Sequence, residues 1–389
     1  MSDPSPDKKV NAARSPSEGT PPPPAPGAFD ARSIDLGRIE CLQILNERGE
    51  LDEGLRPDID DVELLRLHRA MVLSRAFDAR MLAMQRQGQM GTFAPNIGQE
   101  ACAVGQAWPL GEMDWYSPSY RSFGAQIIRG WPMDRLMTLW DGYHDGFPPP
   151  EGVNDLPFSI VIGSHVLPAV GIGMAMKRAS DPHCVVVNFG DGAFSEGAVI
   201  EALNFAAVEQ APVVFVAENN GWAISTPLSK QCSNEVLASR GIGYGVHSIR
   251  VDGNDILAMT TATREACERA RRGDGPTLIE AVTFRMSLHT TADDPTVYRD
   301  EALVDPWKER CPIRRFETWL QRTGRLGSDE TEAIRAACEQ EVLDAREKFR
   351  AHAKAKPREI FDYLYASNPP ELEAQRMAYL RRLDRKGVS

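Results

Sequence analysis

Three short runs constrain this chain more than anything else in it. Residues 184–189 (Cys-Val-Val-Val-Asn-Phe), 213–217 (Val-Val-Phe-Val-Ala) and 277–283 (Thr-Leu-Ile-Glu-Ala-Val-Thr) are almost unbrokenly apolar. A short run without polar alternation reads as a strand covered on both faces, which is the condition of strands in a parallel sheet. Helical segments at about 196–209 and 255–272 lie between these runs or just before the last. Alternating strand and helix signals imply an α/β fold, a parallel sheet with helices on both faces.

The chemistry gathers where the first of these strands ends. Phe189 is followed by Gly190-Asp191-Gly192-Ala193, and the next strand runs into Glu218-Asn219-Asn220-Gly221. A carboxylate therefore ends one strand and an asparagine pair ends the next, 29 residues apart from Asp191 to Asn220. Ligands of open α/β sheets bind at that carboxyl edge. Mg²⁺ favours octahedral oxygen ligands and takes few protein carboxylates when phosphate oxygens complete its shell. Asp191 suits the charged ligand, and the Asn220 amide oxygen a neutral one. Glycines let the backbone approach a phosphate, and N–H groups at the following helix start favour an anion. Both ligands are expected at exposed strand ends rather than in the core.

Gly-Asp-Gly followed by Asn-Asn across strand, helix and strand matches the thiamine-diphosphate fingerprint. Beyond it, the chain resembles the α subunit of 2-oxo acid dehydrogenases (E1α) from about residue 40 to residue 365. Its marks are Gly98-Gln99-Glu100-Ala101, Tyr120-Arg121, Asn204-Phe205-Ala206-Ala207, the run from Asn219 to Thr226, Arg250-Val251-Asp252-Gly253-Asn254, and His289-Thr290-Thr291-Ala292-Asp293-Asp294. The resemblance implies a thiamine-diphosphate-binding fold of which this chain carries the diphosphate-binding domain only. It implies that Asp191, Asn220 and the backbone carbonyl of Trp222 hold Mg²⁺. Tyr120 and Arg121 would contact the cofactor, Arg121 through a diphosphate oxygen, as suits a planar guanidinium. Gly190, Gly192 and Ala193 would line the phosphate pocket, and Ile162 would help hold the cofactor bent. His289 would contact phosphate and assist acyl transfer, as an imidazole of near-neutral pKa able to donate a proton. His165 is a further candidate by alignment, with less support, as for His144 and His247.

The same resemblance implies partners. Thiamine enzymes need a second domain for the pyrimidine ring, with a carboxylate at its ring nitrogen. One diphosphate-binding domain uses up this chain, so the E1 β subunit must supply that half in an α2β2 heterotetramer. The acyl group then passes to the lipoyl arm of an E2 acyltransferase. Pyruvate is favoured as substrate by Gly91-Thr92-Phe93-Ala94-Pro95 and Ile160–Val166. Gly243-Tyr244-Gly245 and the Arg250–Asn254 run lean instead toward branched-chain 2-oxo acids, and acetoin is a further alternative. Eukaryotic relatives carry phosphorylatable serines after the histidine, where Thr290 and Ala292 stand here. Two other classes compete: a complete thiamine enzyme, disfavoured by the missing ring half, and a non-catalytic scaffold, disfavoured by the intact Asp191, Asn220, Arg121 and His289.

Composition bounds the rest. A net charge of −11 argues against nucleic-acid binding, which rests on lysines and arginines at phosphates. No apolar run approaches the roughly 20 residues that cross a bilayer. Seven cysteines without a CxxC pair argue against a disulfide framework or structural zinc. Asp3, Asp7 and Glu18 interrupt the N-terminal segment, which also lacks an apolar signal core, so a cytoplasmic location is expected. The organisation predicted is a Pro-rich disordered tail over 1–30, an extension over 31–60, the cofactor-binding domain over 61–325 and a helical region over 326–389. Within the domain, Val62, Leu65, Arg69, Val72, Leu73 and Phe77 mark a helix over 61–87, with Asp60-Asp61 at its start.

Overall fold

A computed structural model describes residues 37–352 and 357–387 of the chain. The Pro-rich tail predicted over 1–30 lies outside the described residues. From Arg38 onward the chain forms one compact unit.

Six parallel strands make the central sheet. In chain order they are β1 (Glu40–Leu42), β2 (Trp115–Ser117), β3 (Val185–Gly190), β4 (Val213–Asn219), β7 (His247–Asp252) and β8 (Thr277–Val282), and across the sheet they lie β1-β7-β8-β4-β3-β2. A small antiparallel hairpin, β5 (Trp222–Ala223) with β6 (Thr226–Pro227), hangs from the end of β4. The register aligns three carboxyl ends: Gly190 of β3 pairs with Glu218 of β4, and Glu218 with Ala281 of β8.

Alternation along the strands divides the apolar side chains between two cores. Val185, Val187, Phe189, Val213, Phe215 and Leu278 pack on one face, and Val186, Val214, Val216, Ile279 and Ala281 on the other. The first face is covered by helices Val166–Ala179 and Gly197–Glu209, and the second by helices that include Asp61–Arg86, Glu100–Ala107 and Ile256–Arg272. The predicted sheet with helices on both faces is therefore the one found.

Local chemistry explains where the helices begin and end. Asp60 caps Asp61–Arg86 by accepting from the Glu63 N–H at 2.7 Å, with Asp61 and Glu63 in the first turn and Arg86 in the last. Asp255 caps Ile256–Arg272, and its second oxygen accepts from the Ile44 and Leu45 N–H groups at 2.7 Å, tying the chain after β1 to that helix. The helix predicted over 61–87 is present, and Val72, Leu73 and Phe77 are buried as marked. Its first turns depart from the marked stripe: Val62 is 68% exposed, while Leu64, Leu67, His68 and Met71 are buried. The helix packs against the long helix Ser328–His352 and also against helices Glu100–Ala107, Phe123–Ile128 and Pro312–Arg322, so its buried face is wider than one stripe.

All seven cysteines are free. No helix among the described residues is long and apolar enough to cross a membrane.

Candidate active site

The carboxyl ends of β2, β3, β4 and β8 surround a cavity of about 230 Å³. Each strand exit delivers something different. After β2 the chain turns through Ser119, Tyr120 and Arg121; after β3 comes a 3-10 turn, Asp191–Ser195; after β4 come Asn220 and the hairpin; after β8 the chain runs through Arg285 to His289. A bridge between Ser119 and Ser159 brings in a fifth segment with Ile162, Gly163 and His165. Tyr120, Arg121, Ile162, Gly190, Asp191, Gly192, Ala193, Asn220, Trp222 and His289 all line this one cavity, and so does His165. His144 and His247 do not line it.

Asp191 and Asn220 lie at strand ends as predicted, but not exposed: they are 2% and 6% accessible. The hairpin folds over them, and Gln231 from the short helix Leu228–Gln231 donates to Asp191 Oδ2 at 2.8 Å. Burial raises the Asp191 carboxyl above its usual range despite that bond. Such a carboxylate is stabilised by a cation. Asn220 Nδ2 donates to Gln99 Oε1 at 3.1 Å, which fixes the amide so that Oδ1 accepts from the Trp222 N–H at 3.3 Å. Among the described residues no group of three or more His, Cys, Asp or Glu converges as a metal site. An ion here would be held by one carboxylate and neutral oxygens, the pattern suited to Mg²⁺ beside a phosphate.

Gly192 is required by close approach: a Cβ there would lie 2.8 Å from the Ala223 Cβ of the hairpin. A Cβ at Gly190 would meet nothing within 4 Å, so that side of the turn is open. Ile162 is 43% exposed at the cavity rim, beside the exposed Ile160 and Val161, and outside both cores.

Arg121 and His289 line the cavity, and two further buried arginines, Arg285 and Arg299, stand behind them without lining it. Arg121, Arg285 and Arg299 are 5%, 1% and 6% exposed, and among the described residues none of the three forms a salt bridge. Carbonyl oxygens hold them instead. Arg121 donates to Pro95 O and His289 O; Arg285 donates to Ile224 O at 2.6 Å and to the Tyr298 hydroxyl at 2.8 Å; Arg299 donates to Arg285 O. Burial, reinforced by the charges of Arg121 and Arg299, lowers Arg285 to about 10. Buried guanidiniums without carboxylate partners leave positive charge for an incoming anion.

His289 sits within this charge rather than in a solvated loop. Its Nδ1 lies 3.1 Å from Arg121 Nη2 and 3.3 Å from Arg285 Nη1. A guanidinium nitrogen is always a donor. Nδ1 is therefore the acceptor and Nε2 carries the ring proton. Burial first, then the charges of Arg121 and Arg285, push the imidazole down to about 4. The near-neutral proton donor expected from sequence is corrected: without an anion bound, His289 is a neutral Nε2–H donor. The backbone N–H of His289 is fixed by Asp293 Oδ2 at 2.8 Å, and Tyr120 meets the ring edge-on at 6.1 Å between centroids.

Sequence reasoning missed Arg285, Glu218 and Gln231. Glu218 lines the cavity, is 3% exposed, and is raised by burial to about 7. Its signal was a carboxylate inside an otherwise apolar strand, directly before the asparagine pair. Nothing in the sequence around Arg285 or Gln231 points to the site.

The fold and cavity define a class: an α/β protein with a cavity at the carboxyl edge of a parallel sheet, lined by buried charged and polar side chains. Comparison with known sequences is more specific. Residues 68–358 match the family model described as "Dehydrogenase E1 component". The chain is 41% identical over 327 residues to the pyruvate dehydrogenase E1 component subunit alpha of Acholeplasma laidlawii, covering 84% of this chain and 95% of that one. It is 42% identical over 346 residues to the 3-methyl-2-oxobutanoate dehydrogenase subunit alpha of Mycobacterium tuberculosis (strain CDC 1551 / Oshkosh), covering 88% and 94%. The pyruvate dehydrogenase subunit of Bacillus subtilis (strain 168) is 36% identical over 343 residues, covering 88% and 92%. The chain belongs to the dehydrogenase E1 component family, whose members are oxidoreductases dependent on thiamine diphosphate.

Proposed function

We propose that this chain is the α subunit of a 2-oxo acid dehydrogenase E1 that decarboxylates pyruvate and passes the acyl group to a lipoyl arm of E2. The observation that carries the reading is the two-sided cavity: buried Asp191 and Asn220 on one wall, buried Arg121 with His289 on the other. A diphosphate with its Mg²⁺ is the ligand whose charges such a pair of walls complements. Asp191, the Asn220 amide oxygen and the Trp222 carbonyl would hold the ion. Arg121 would hold a diphosphate oxygen, and Gly190, Gly192 and Ala193 would bound the phosphate. Tyr120 and Ile162 would bound the rest of the cofactor.

Thiamine diphosphate, when bound, supplies the electron sink that decarboxylation of a 2-oxo acid requires. This chain's residues bind, orient and exclude water. His289 offers its Nε2–H to phosphate or to the acyl acceptor, and its Nδ1 is kept as an acceptor by two arginines. The pyrimidine half of the site is assigned to a β subunit, in an α2β2 assembly located in the cytoplasm. E1 α subunits form complexes with a β subunit and E2, which supports that assignment.

A second substrate has a specific observation behind it, the relative of comparable identity whose name is that of a 3-methyl-2-oxobutanoate dehydrogenase. The deciding experiment is co-expression with a β-type partner, calorimetric titration of thiamine diphosphate with Mg²⁺, and kcat/KM on pyruvate and 2-oxoisovalerate. A pocket separates added methylenes by only about 1–3 kcal/mol, so cross-reactivity is expected with pyruvate ahead. A branched-chain preference moves the assignment to the second substrate. Absence of cofactor binding by the αβ complex overturns the proposal as a whole.

A further inference from the structure

Between two points of the cavity lining, Glu218 and Ser119, runs a line of buried hydrogen bonds that the cofactor assignment does not use. It starts at Glu218. Oε1 of Glu218 accepts from Asn188 Nδ2 at 2.8 Å and from Gln106 Nε2 at 3.0 Å. Asn188 Oδ1 accepts from Ser122 Oγ at 2.5 Å, and Ser122 and Ser119 hydroxyls lie 2.8 Å apart. The Arg121 N–H reaches Ser119 Oγ at 3.4 Å. Glu218 is 3% exposed, Ser119 is 7% exposed, and Asn188 and Ser122 are fully buried.

The direction of donation is fixed throughout. The Ser122 proton goes to Asn188, so Ser119 must donate to Ser122. The Ser119 oxygen is then free to accept from the Arg121 backbone. Asn188 can point its oxygen at Ser122 only while its amide group faces an acceptor, and that acceptor is Glu218. The backbone carbonyl of Asn188 is separately held by His165 Nε2 at 2.7 Å, so the residue cannot drift to make other bonds. Three strand exits are joined this way: β4 through Glu218, β3 through Asn188, and the loop after β2 through Ser119 and Ser122.

We propose that Glu218 is a positioning residue for the Arg121 loop, setting the polarity of the Asn188–Ser122–Ser119 chain that holds Arg121 where it can meet a diphosphate. The inference rests on reading Arg121 as a diphosphate ligand. It assigns Glu218 no contact with the reacting atoms.

The test uses the αβ complex, with thiamine diphosphate and Mg²⁺ as the probe. Glu218→Leu removes the acceptor, and Glu218→Gln keeps one. Calorimetry should read a dissociation constant raised roughly 10- to 100-fold in Glu218→Leu, the loss of a buried hydrogen-bonded anchor. Glu218→Gln should lose far less. In steady state the change should fall on the KM for cofactor, with kcat at saturating cofactor altered little. Ser122→Ala breaks the same chain nearer Arg121 and should weaken cofactor binding in the same direction. Adding Glu218→Leu to Ser122→Ala should then change little more, since the two act through one path.

If the Leu variant does not assemble, Ser122→Ala and Ser119→Ala decide the matter, and wild-type affinity in both overturns the proposal. Equal losses in Glu218→Leu and Glu218→Gln also overturn it, because charge rather than hydrogen-bond polarity would then matter. If the wild-type complex binds no thiamine diphosphate, the cofactor reading fails. If it binds and the variants bind as tightly, only the positioning role fails.

Discussion

Gly192→Ala puts a single methyl group where the site has no room for one. The new Cβ would stand 2.8 Å from the Ala223 Cβ, whereas carbon atoms pack best at about 3.5–4.0 Å. Either the Asp191 turn or the hairpin that carries Trp222 and Ala223 must therefore give way by roughly 0.7–1.2 Å. Overpacking of this kind costs about 1–3 kcal/mol. Both sides of the contact belong to the proposed ion and phosphate site, so the cost should appear in binding, as a dissociation constant for thiamine diphosphate weakened roughly 5- to 140-fold. Calorimetry on the αβ complex at fixed Mg²⁺ measures it. Ala223→Gly in the same chain removes the opposing methyl; the next nearest atom is Ala223 Cα at 3.6 Å, an ordinary contact, so affinity should return. An unaffected Gly192→Ala would refute the argument, and so would a loss that Ala223→Gly leaves in place.

Three further outcomes follow from the same geometry. Asp191→Asn keeps the shape and removes the charge, so it should weaken Mg²⁺-dependent cofactor binding by roughly 2–5 kcal/mol without lowering the melting temperature, read by titration and by thermal unfolding. His289 should titrate near 4 in the apo complex when followed by NMR of ¹³C-labelled histidine, and inorganic pyrophosphate should raise that value by offsetting Arg121 and Arg285. Because the folded-state pKa lies below the ordinary 6.5, His289 supports folding fully above 6.5, and that support is lost as pH falls toward about 4. In the first long helix, Val62→Ala should be close to neutral in thermal unfolding while Leu67→Ala, at a fully buried site, should cost about 2–5 kcal/mol.

Much of the fold was written in local pattern. Unbroken apolar runs announced β3, β4 and β8, because a strand covered on both faces has no polar side to interrupt it. The weaker strands were not announced. β1 is three residues long with two of them exposed, β2 is also three residues, and β7 mixes His247, Arg250 and Asp252 among its apolar residues. Such strands are identified by the neighbours they pair with, which periodicity along one segment cannot report. Val62 misled for a related reason: it fits the helical period, yet the buried face is set by a helix that follows more than 250 residues later.

The site divides along the same line. Residues attached directly to strand ends were legible, since the strand fixes where they stand, and Asp191 and Asn220 line one cavity; His289 lies in the loop beyond β8 and was pointed to only by the resemblance, and it lines the same cavity. Their chemical state was not legible, because it is imposed from across the sheet. Arg285 lies 61 residues from the Ile224 carbonyl that holds it, and Glu218 lies 30 from Asn188. The correction at His289 follows from this. A histidine beside threonines and aspartates reads as an ordinary near-neutral group, whereas burial first, and then two guanidiniums folded against Nδ1, hold it neutral well below that range. The same contacts give the imidazole a conditional role. Without an anion beside these arginines the ring can only donate from Nε2, and once a diphosphate offsets them the penalty on protonation falls. Arg121, shared between the diphosphate assignment and the His289 contact, is the group through which cofactor binding would reach the proton on that ring.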